Sequence, residues 1–288
     1  MHLERQKPMI IVAPNGARRM KTDHPALPIT PAELAQTAIE CAEAGAAMIH
    51  MHARTAEGLH SLEIEDNRRT YDAVKDAVGD SLVVQMTTEA VGIYQPAQQM
   101  RLIRTLAPEA ASFGLRELVP SRDAVAEAAD FFHWVADRGI LAQYILYSAE
   151  DLLFYRELLD LRALPSTAHH LLFVLGRYSQ GQQSDPKDLD PFLEHVDKLD
   201  VNWAVCAFGI RELECLSRAV ELGGDARIGF ENNLLCANGE QALNNAAQVE
   251  ALRQNILAQG RTPATAAEVR NLMFNPLNQF KQQQAILN

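Results

Sequence analysis

The feature that most limits the fold is a period. Short apolar runs recur eight times along the chain, and longer amphipathic stretches separate them. The runs cover residues 9–14 (MIIVAP), 47–52 (AMIHMH), 82–88 (LVVQMTT), 110–114 (AASFG), 140–148 (ILAQYILYS), 170–176 (HLLFVLG), 202–209 (NWAVCAFG) and 226–232 (ARIGFEN). Several are almost continuously apolar, as strands buried on both faces must be. The stretches between them repeat apolar residues every three to four positions, which is helical spacing. Eight strand–helix units predict a single-domain (β/α)8 TIM barrel over residues 1–288, with a C-terminal helical extension, rather than a doubly wound sheet with fewer strands.

Local signals agree. Thr30 precedes Pro31 and stands three residues before Glu33, the pattern of a capping box with proline in the first turn. Gly45, Gly79, Gly139 and Gly223 fall where helices should stop. The closing residues NPLNQFKQQQAILN, rich in Gln and Asn, are expected to fray or to pack on a neighbouring subunit.

Charge narrows the function classes. The formal net charge is −11 and the pI is near 5.3, which argues against a nucleic-acid partner. No run of eighteen apolar residues is present, so no membrane span is expected. The four cysteines, Cys41, Cys206, Cys215 and Cys236, show no Cys-x-x-Cys pair and suit a reducing, cytoplasmic setting.

In a barrel of this kind, chemistry collects at the C-terminal ends of the strands. The polar residues of this chain gather there. Asn15 follows the first strand, and His50, His52 and Arg54 end the second. Thr87, Thr88 and Glu89 end the third, Ser112 and Arg116 lie near the fourth, and Gln143 lies on the fifth. Arg227, Glu231 and Asn232 belong to the eighth. Alternate strand residues point the same way, so His50 and His52 share a face. Two imidazoles and one carboxylate can hold Zn²⁺ and leave a fourth position open. Barrel closure makes Glu231 the carboxylate that can meet them. Arg54, Arg116 and Arg227 are candidates for gripping an anion, because a guanidinium fork suits a carboxylate. Arg177, in the glycine-punctuated loop after the sixth strand, could border a phosphate or a long substrate. Thr87 and Thr88 could hold a carboxylate or carbonyl oxygen. His169 and His170 open the sixth strand, at the wrong end for catalysis.

Three segments, AGAAMIHMHAR, LGGDARIGFENN and GRTPATAAEVRNLM, resemble the β-keto acid cleavage enzyme family, and the resemblance covers nearly the whole chain. It implies a zinc-dependent barrel that condenses a β-keto acid with acetyl-CoA to give acetoacetate and an acyl-CoA. It implies His50, His52 and Glu231 as zinc ligands, Arg227 as the residue that helps activate the keto acid, and a homotetramer. Asn15, Arg54, Thr87, Thr88, Ser112 and Gln143 are then expected around the substrate. Two positions depart from the family pattern. Asn232 stands where an aspartate is usual, and Gln143 stands near where a glutamate is usual. An amide cannot accept a proton, so Glu89 joins Arg227 and Asn232 among the expected catalytic residues. The same departures admit two other readings, a CoA-independent metal-dependent lyase or hydrolase and a catalytically silent ligand-binding barrel.

Overall fold

The computed structural model describes residues 7–166, 169–196, 199 and 201–273. The expected Gln- and Asn-rich tail lies outside them. Eight parallel strands form a closed barrel in sequential order. They are β1 (Ile10–Val12), β2 (Met48–Met51), β3 (Val83–Met86), β4 (Ala110–Gly114), β5 (Leu141–Leu146), β6 (His169–Leu175), β7 (Asn202–Ala207) and β8 (Asp225–Ile228). The helices are α1 (Pro31–Ala44), α2 (Ile64–Val78), α3 (Pro96–Leu106), α4 (Leu115–Leu118), α5 (Val125–Asp137), α6 (Ala149–Asp160), α7 (Asp190–Val196), α8 (Glu212–Glu221), α9 (Asn245–Ala258) and α10 (Ala266–Met273). None of the described helices is long and apolar enough to cross a membrane.

The cap of α1 forms as its sequence requires. The Thr30 hydroxyl accepts the Glu33 amide at 3.3 Å, and Glu33 accepts the Thr30 amide at 3.0 Å. Such a cap stabilises a helix by about 1 kcal/mol. Gly45 then ends the helix in a left-handed conformation.

Alternation along each strand divides the core. Outward residues such as Ile49, Val84 and Phe113 pack against the helices, while inward residues such as Ile11, Met48, Val83 and Leu172 fill the barrel. Each such side chain contributes about 1.5–3 kcal/mol by leaving water. Ala264, Ala266 and Val269 join the interior cluster from the C-terminal segment. That segment closes the bottom of the barrel. The Ala264 amide bonds Pro8 O at 2.9 Å, and Arg270 reaches Leu82 O at 2.7 Å and the Glu109 carboxylate. A ligand therefore enters from the opposite face, where the strands end.

Several strands are shorter than their apolar runs. Expected at 226–232, β8 stops at Ile228. Gly229 then turns at φ 139°, and a Cβ there would collide with Ala13 O of the neighbouring strand. Glu231 and Asn232 consequently sit in a turn that folds over β1, where the Glu231 amide bonds Ala13 O at 3.1 Å.

Candidate active site

The site grows from β2 and β3. Register pairs His50 with Gln85, and both side chains point into the barrel. The amide oxygen of Gln85 accepts the Nδ1 proton of His50 at 2.7 Å. That bond fixes the tautomer and leaves the Nε2 lone pair of His50 facing the mouth. His52 lies just beyond the strand. The Asn15 side chain holds it through both backbone groups, donating to His52 O at 2.9 Å and accepting from His52 N at 3.3 Å.

Glu231 completes the group from across the β1–β8 closure. Its Oε2 stands 3.2 Å from His52 Nε2 and 3.7 Å from His50 Nε2, and the two Nε2 atoms are 3.0 Å apart. Ligands bound at ~2.1 Å to one tetrahedral zinc ion stand roughly 3.4 Å from each other. The two-nitrogen, one-oxygen set fits a metal ion on that scale, and among the described residues it is the group that could hold one. Gly16 makes the approach possible. At φ 60° it passes so close that a Cβ would lie 2.6 Å from Glu231 Cγ.

Protonation states suit ligation. Burial pulls His50 down to about 4 and His52 down to about 3, against the raising effect of Glu231. Both rings are therefore neutral near pH 7, and their contacts with Glu231 are not ion pairs. Burial opposes ionisation of Glu231, yet Arg227 holds it well below the usual carboxylate range. Arg227 donates to Glu231 Oε1 at 2.9 Å. Burial opposes its charge in turn, and the Cys206 sulfur and Glu231 more than offset that, so it stays protonated. Burial, reinforced by the charge of Glu231, pushes Glu89 up to about 7, with Arg177 pulling the other way.

The pocket above this group is lined by Asn15, Thr87, Glu89 and Arg227 together with the three ligand candidates. The other expected residues lie elsewhere. Arg54 is buried, and its guanidinium donates to four backbone carbonyls: Gly16 (2.6 Å), Gly58 (2.6 Å), Arg19 (3.0 Å) and Asn15 (3.2 Å). Thr88 donates its hydroxyl to Ser112 O at 2.7 Å. Ser112 and Gln143 are buried inside the barrel, where Gln143 bonds His170 Nδ1 at 2.8 Å. His170 continues to Asp225 at 3.0 Å, towards the closed end. Asn232 is 1% exposed, and among the described residues neither side-chain amide atom has a hydrogen-bond partner. Arg116 is spent on a two-pronged pair with Asp151.

Other contributors escaped the reading of the sequence. Gln85 could have been found, because Val83, Gln85 and Thr87 alternate onto one face of β3. Removing its grip on His50, as in Gln85→Leu, is expected to weaken metal binding by about 10- to 100-fold with little change in fold. A metal titration against a coloured chelator checks this; unchanged affinity would discount the bond. His60 donates to Glu89 O at 2.8 Å and so holds the loop after β3. Ile145, Val174 and Phe208 form an apolar wall, and Arg18 and Arg19 join Arg177, expected from its loop after the sixth strand, in a basic one.

Known proteins resemble this chain over most of its length. The 3-keto-5-aminohexanoate cleavage enzyme of Fusobacterium nucleatum subsp. nucleatum is 26% identical over 273 residues, covering 93% of this chain and 98% of that protein. The 3,5-dioxohexanoate:acetyl-CoA acetone transferase of Paraburkholderia graminis is 28% identical over 307 residues, covering 93% and 96%. Among solved structures, apo ObcA superposes with a TM-score of 0.67 at 19% identity; 86% of this chain is covered but only 65% of that one, and the likeness is one of fold. The model of one family, beta-keto acid cleavage enzyme, matches residues 7–274. On that match the chain belongs to the β-keto acid cleavage enzyme family.

Proposed function

We propose that this protein is a zinc-dependent enzyme that condenses a β-keto acid with acetyl-CoA to release acetoacetate and a new acyl-CoA. In the net reaction the Cα–Cβ bond of the keto acid and the C–S bond of acetyl-CoA break. A C–C bond forms in acetoacetate and a C–S bond forms in the new thioester. The observation that carries this reading is the convergence of neutral His50 and His52 with ionised Glu231 at the floor of the pocket. Zn²⁺ bound there supplies Lewis acidity to a keto oxygen.

The chain's own residues supply the rest. Arg227 keeps Glu231 ionised and presents a permanent positive charge to the substrate's carboxylate. Thr87 lines the pocket, and its hydroxyl accepts the Glu89 amide at 3.1 Å. Glu89 lines the pocket 3.8 Å from His52 Nδ1, and by position it is the group that takes and returns the proton. The backbone amide of Asn232 donates to Gly229 O at 2.9 Å in the turn that carries Glu231. The four free thiols accord with a cytoplasmic enzyme, and the reading extends to a homotetramer.

The test is turnover of a set of β-keto acids, each with and without acetyl-CoA, following acetoacetate and acyl-CoA by mass spectrometry. Turnover is expected only with acetyl-CoA. A chelator should suppress it by roughly a hundredfold or more, and Zn²⁺ should restore it. Consumption of keto acid without acetyl-CoA would overturn the reading in favour of a lyase or hydrolase. Ligand binding with no turnover would favour a silent barrel.

A further inference from the structure

Charge in the pocket runs opposite to charge on the whole molecule. The chain is strongly acidic, with a formal net charge of −11. Yet four arginines, Arg18, Arg19, Arg177 and Arg227, line the pocket against two glutamates, Glu89 and Glu231. Arg227 is matched by Glu231 at 2.9 Å, and Glu231 is also committed to the metal group. Glu89 then remains as the lining countercharge for three guanidiniums.

Those three are held differently. Arg19 is half-buried and donates to Asn232 O at 3.4 Å. Arg177 lies over the Phe208 ring at 5.2 Å, and its Nη2 is 3.9 Å from Glu89 Oε1, beyond hydrogen-bond reach. Its side chain is mostly buried, 19% exposed, yet its donors have no hydrogen-bond acceptor among the described residues. Arg18 is exposed, and among the described residues no carboxylate lies within ion-pair distance of it. Partly desolvated guanidiniums with unspent donors are costly unless a ligand satisfies them. The wall formed by Ile145, Val174 and Phe208 is apolar and would suit methylene groups.

We propose that the β-keto acid carries a second carboxylate at the far end of its chain, recognised by Arg177 with Arg18, so that the substrate class is the linear β-keto dicarboxylates. This deepens the function proposed above and rests on it. The keto and first carboxylate groups would lie over His50, His52 and Arg227. The apolar wall would carry the intervening methylenes. The outer guanidiniums would close on the distal anion, for which a planar fork is suited. The phosphates of CoA are a second source of the same anionic chemistry, and the test must separate the two.

The test compares three acids of equal chain length on the metal-loaded enzyme with acetyl-CoA: a β-keto dicarboxylate, the corresponding β-keto monocarboxylate, and one ending in an amine. The dicarboxylate is expected to lead in kcat/KM by about tenfold or more. Arg177→Gln should reduce the dicarboxylate-to-monocarboxylate ratio by about 10- to 100-fold, mainly through the keto-acid KM, with Arg18→Gln acting in the same direction. Preference for the monocarboxylate or the amine, with the ratio unmoved by Arg177→Gln, overturns this proposal and leaves the enzymatic reading standing. A raised KM for acetyl-CoA with an unaltered keto-acid KM assigns the arginines to CoA phosphates and also overturns it. Should no acid be turned over, the enzymatic reading fails. Calorimetric binding of glutarate against butyrate then decides: tighter glutarate binding that Arg177→Gln removes supports the anion site, and equal binding overturns it.

Discussion

His52→Ala should purify with less than about a tenth of an equivalent of metal and lose about 4 kcal/mol of transition-state stabilisation, roughly a thousandfold in kcat. The size follows from position. His52 Nε2 is 3.0 Å from His50 Nε2 and 3.2 Å from Glu231 Oε2, so it is the ligand atom nearest both others. Removing it leaves two donors, too few to hold an ion against water. The fold should survive, because the Asn15 side chain grips the backbone of residue 52 and alanine keeps both of those bonds. Metal content by plasma emission, with a circular-dichroism melt as control, measures both parts. A variant that keeps a full equivalent of metal would remove the basis of the proposed chemistry.

Arg54→Met should cost about 3 kcal/mol of stability, a fall in Tm of roughly 6 °C or more, while metal content stays near that of the wild type. Arg54 is 5% exposed, and its guanidinium ties together the carbonyls of Asn15, Gly16, Arg19 and Gly58. Methionine keeps an unbranched apolar stem but is shorter and leaves those oxygens without donors in a buried place. Burial pulls the guanidinium down to about 10, against the raising effects of Glu231 and Glu89, and it still stays charged at neutral pH. The loop it organises presents Arg18 and Arg19 to the pocket. A residue that gripped substrate directly would behave differently. Its loss would raise the keto-acid KM by about a hundredfold with Tm unmoved, and that result would return Arg54 to the substrate.

The positions of His52 and Arg54 mark how far side-chain chemistry can be read from order alone. His50 and His52 are legible because alternation on a strand is a local rule, and their neighbours Ala47, Met48 and Ile49 mark that strand clearly. Glu231 is legible once the period implies a closed barrel, since closure sets the end of β8 beside that of β1. Arg54 continues the same alternation but is not brought to the pocket. Past the end of β2 the chain leaves the ladder, and the carbonyls of the 15–19 loop and Gly58 take up its guanidinium. Gln143 and Ser112 fail to reach the pocket for another reason. They point inward as alternation requires, but too low on their strands, in the packed barrel beneath it.

What the sequence determined by itself was the eight-fold period, the capping of α1, and the pairing of two histidines on one face. Each depends on neighbours within a few residues, where backbone geometry leaves little choice. The tertiary structure decided how far up each strand a side chain sits and which polar groups the backbone claims first. It also brought Arg18 and Arg19 from the loop after β1 together with Arg177 from the loop after β6. No local rule links two loops more than 150 residues apart. They meet because a barrel gathers the ends of all its strands around one opening, and there the fields of separate charges add.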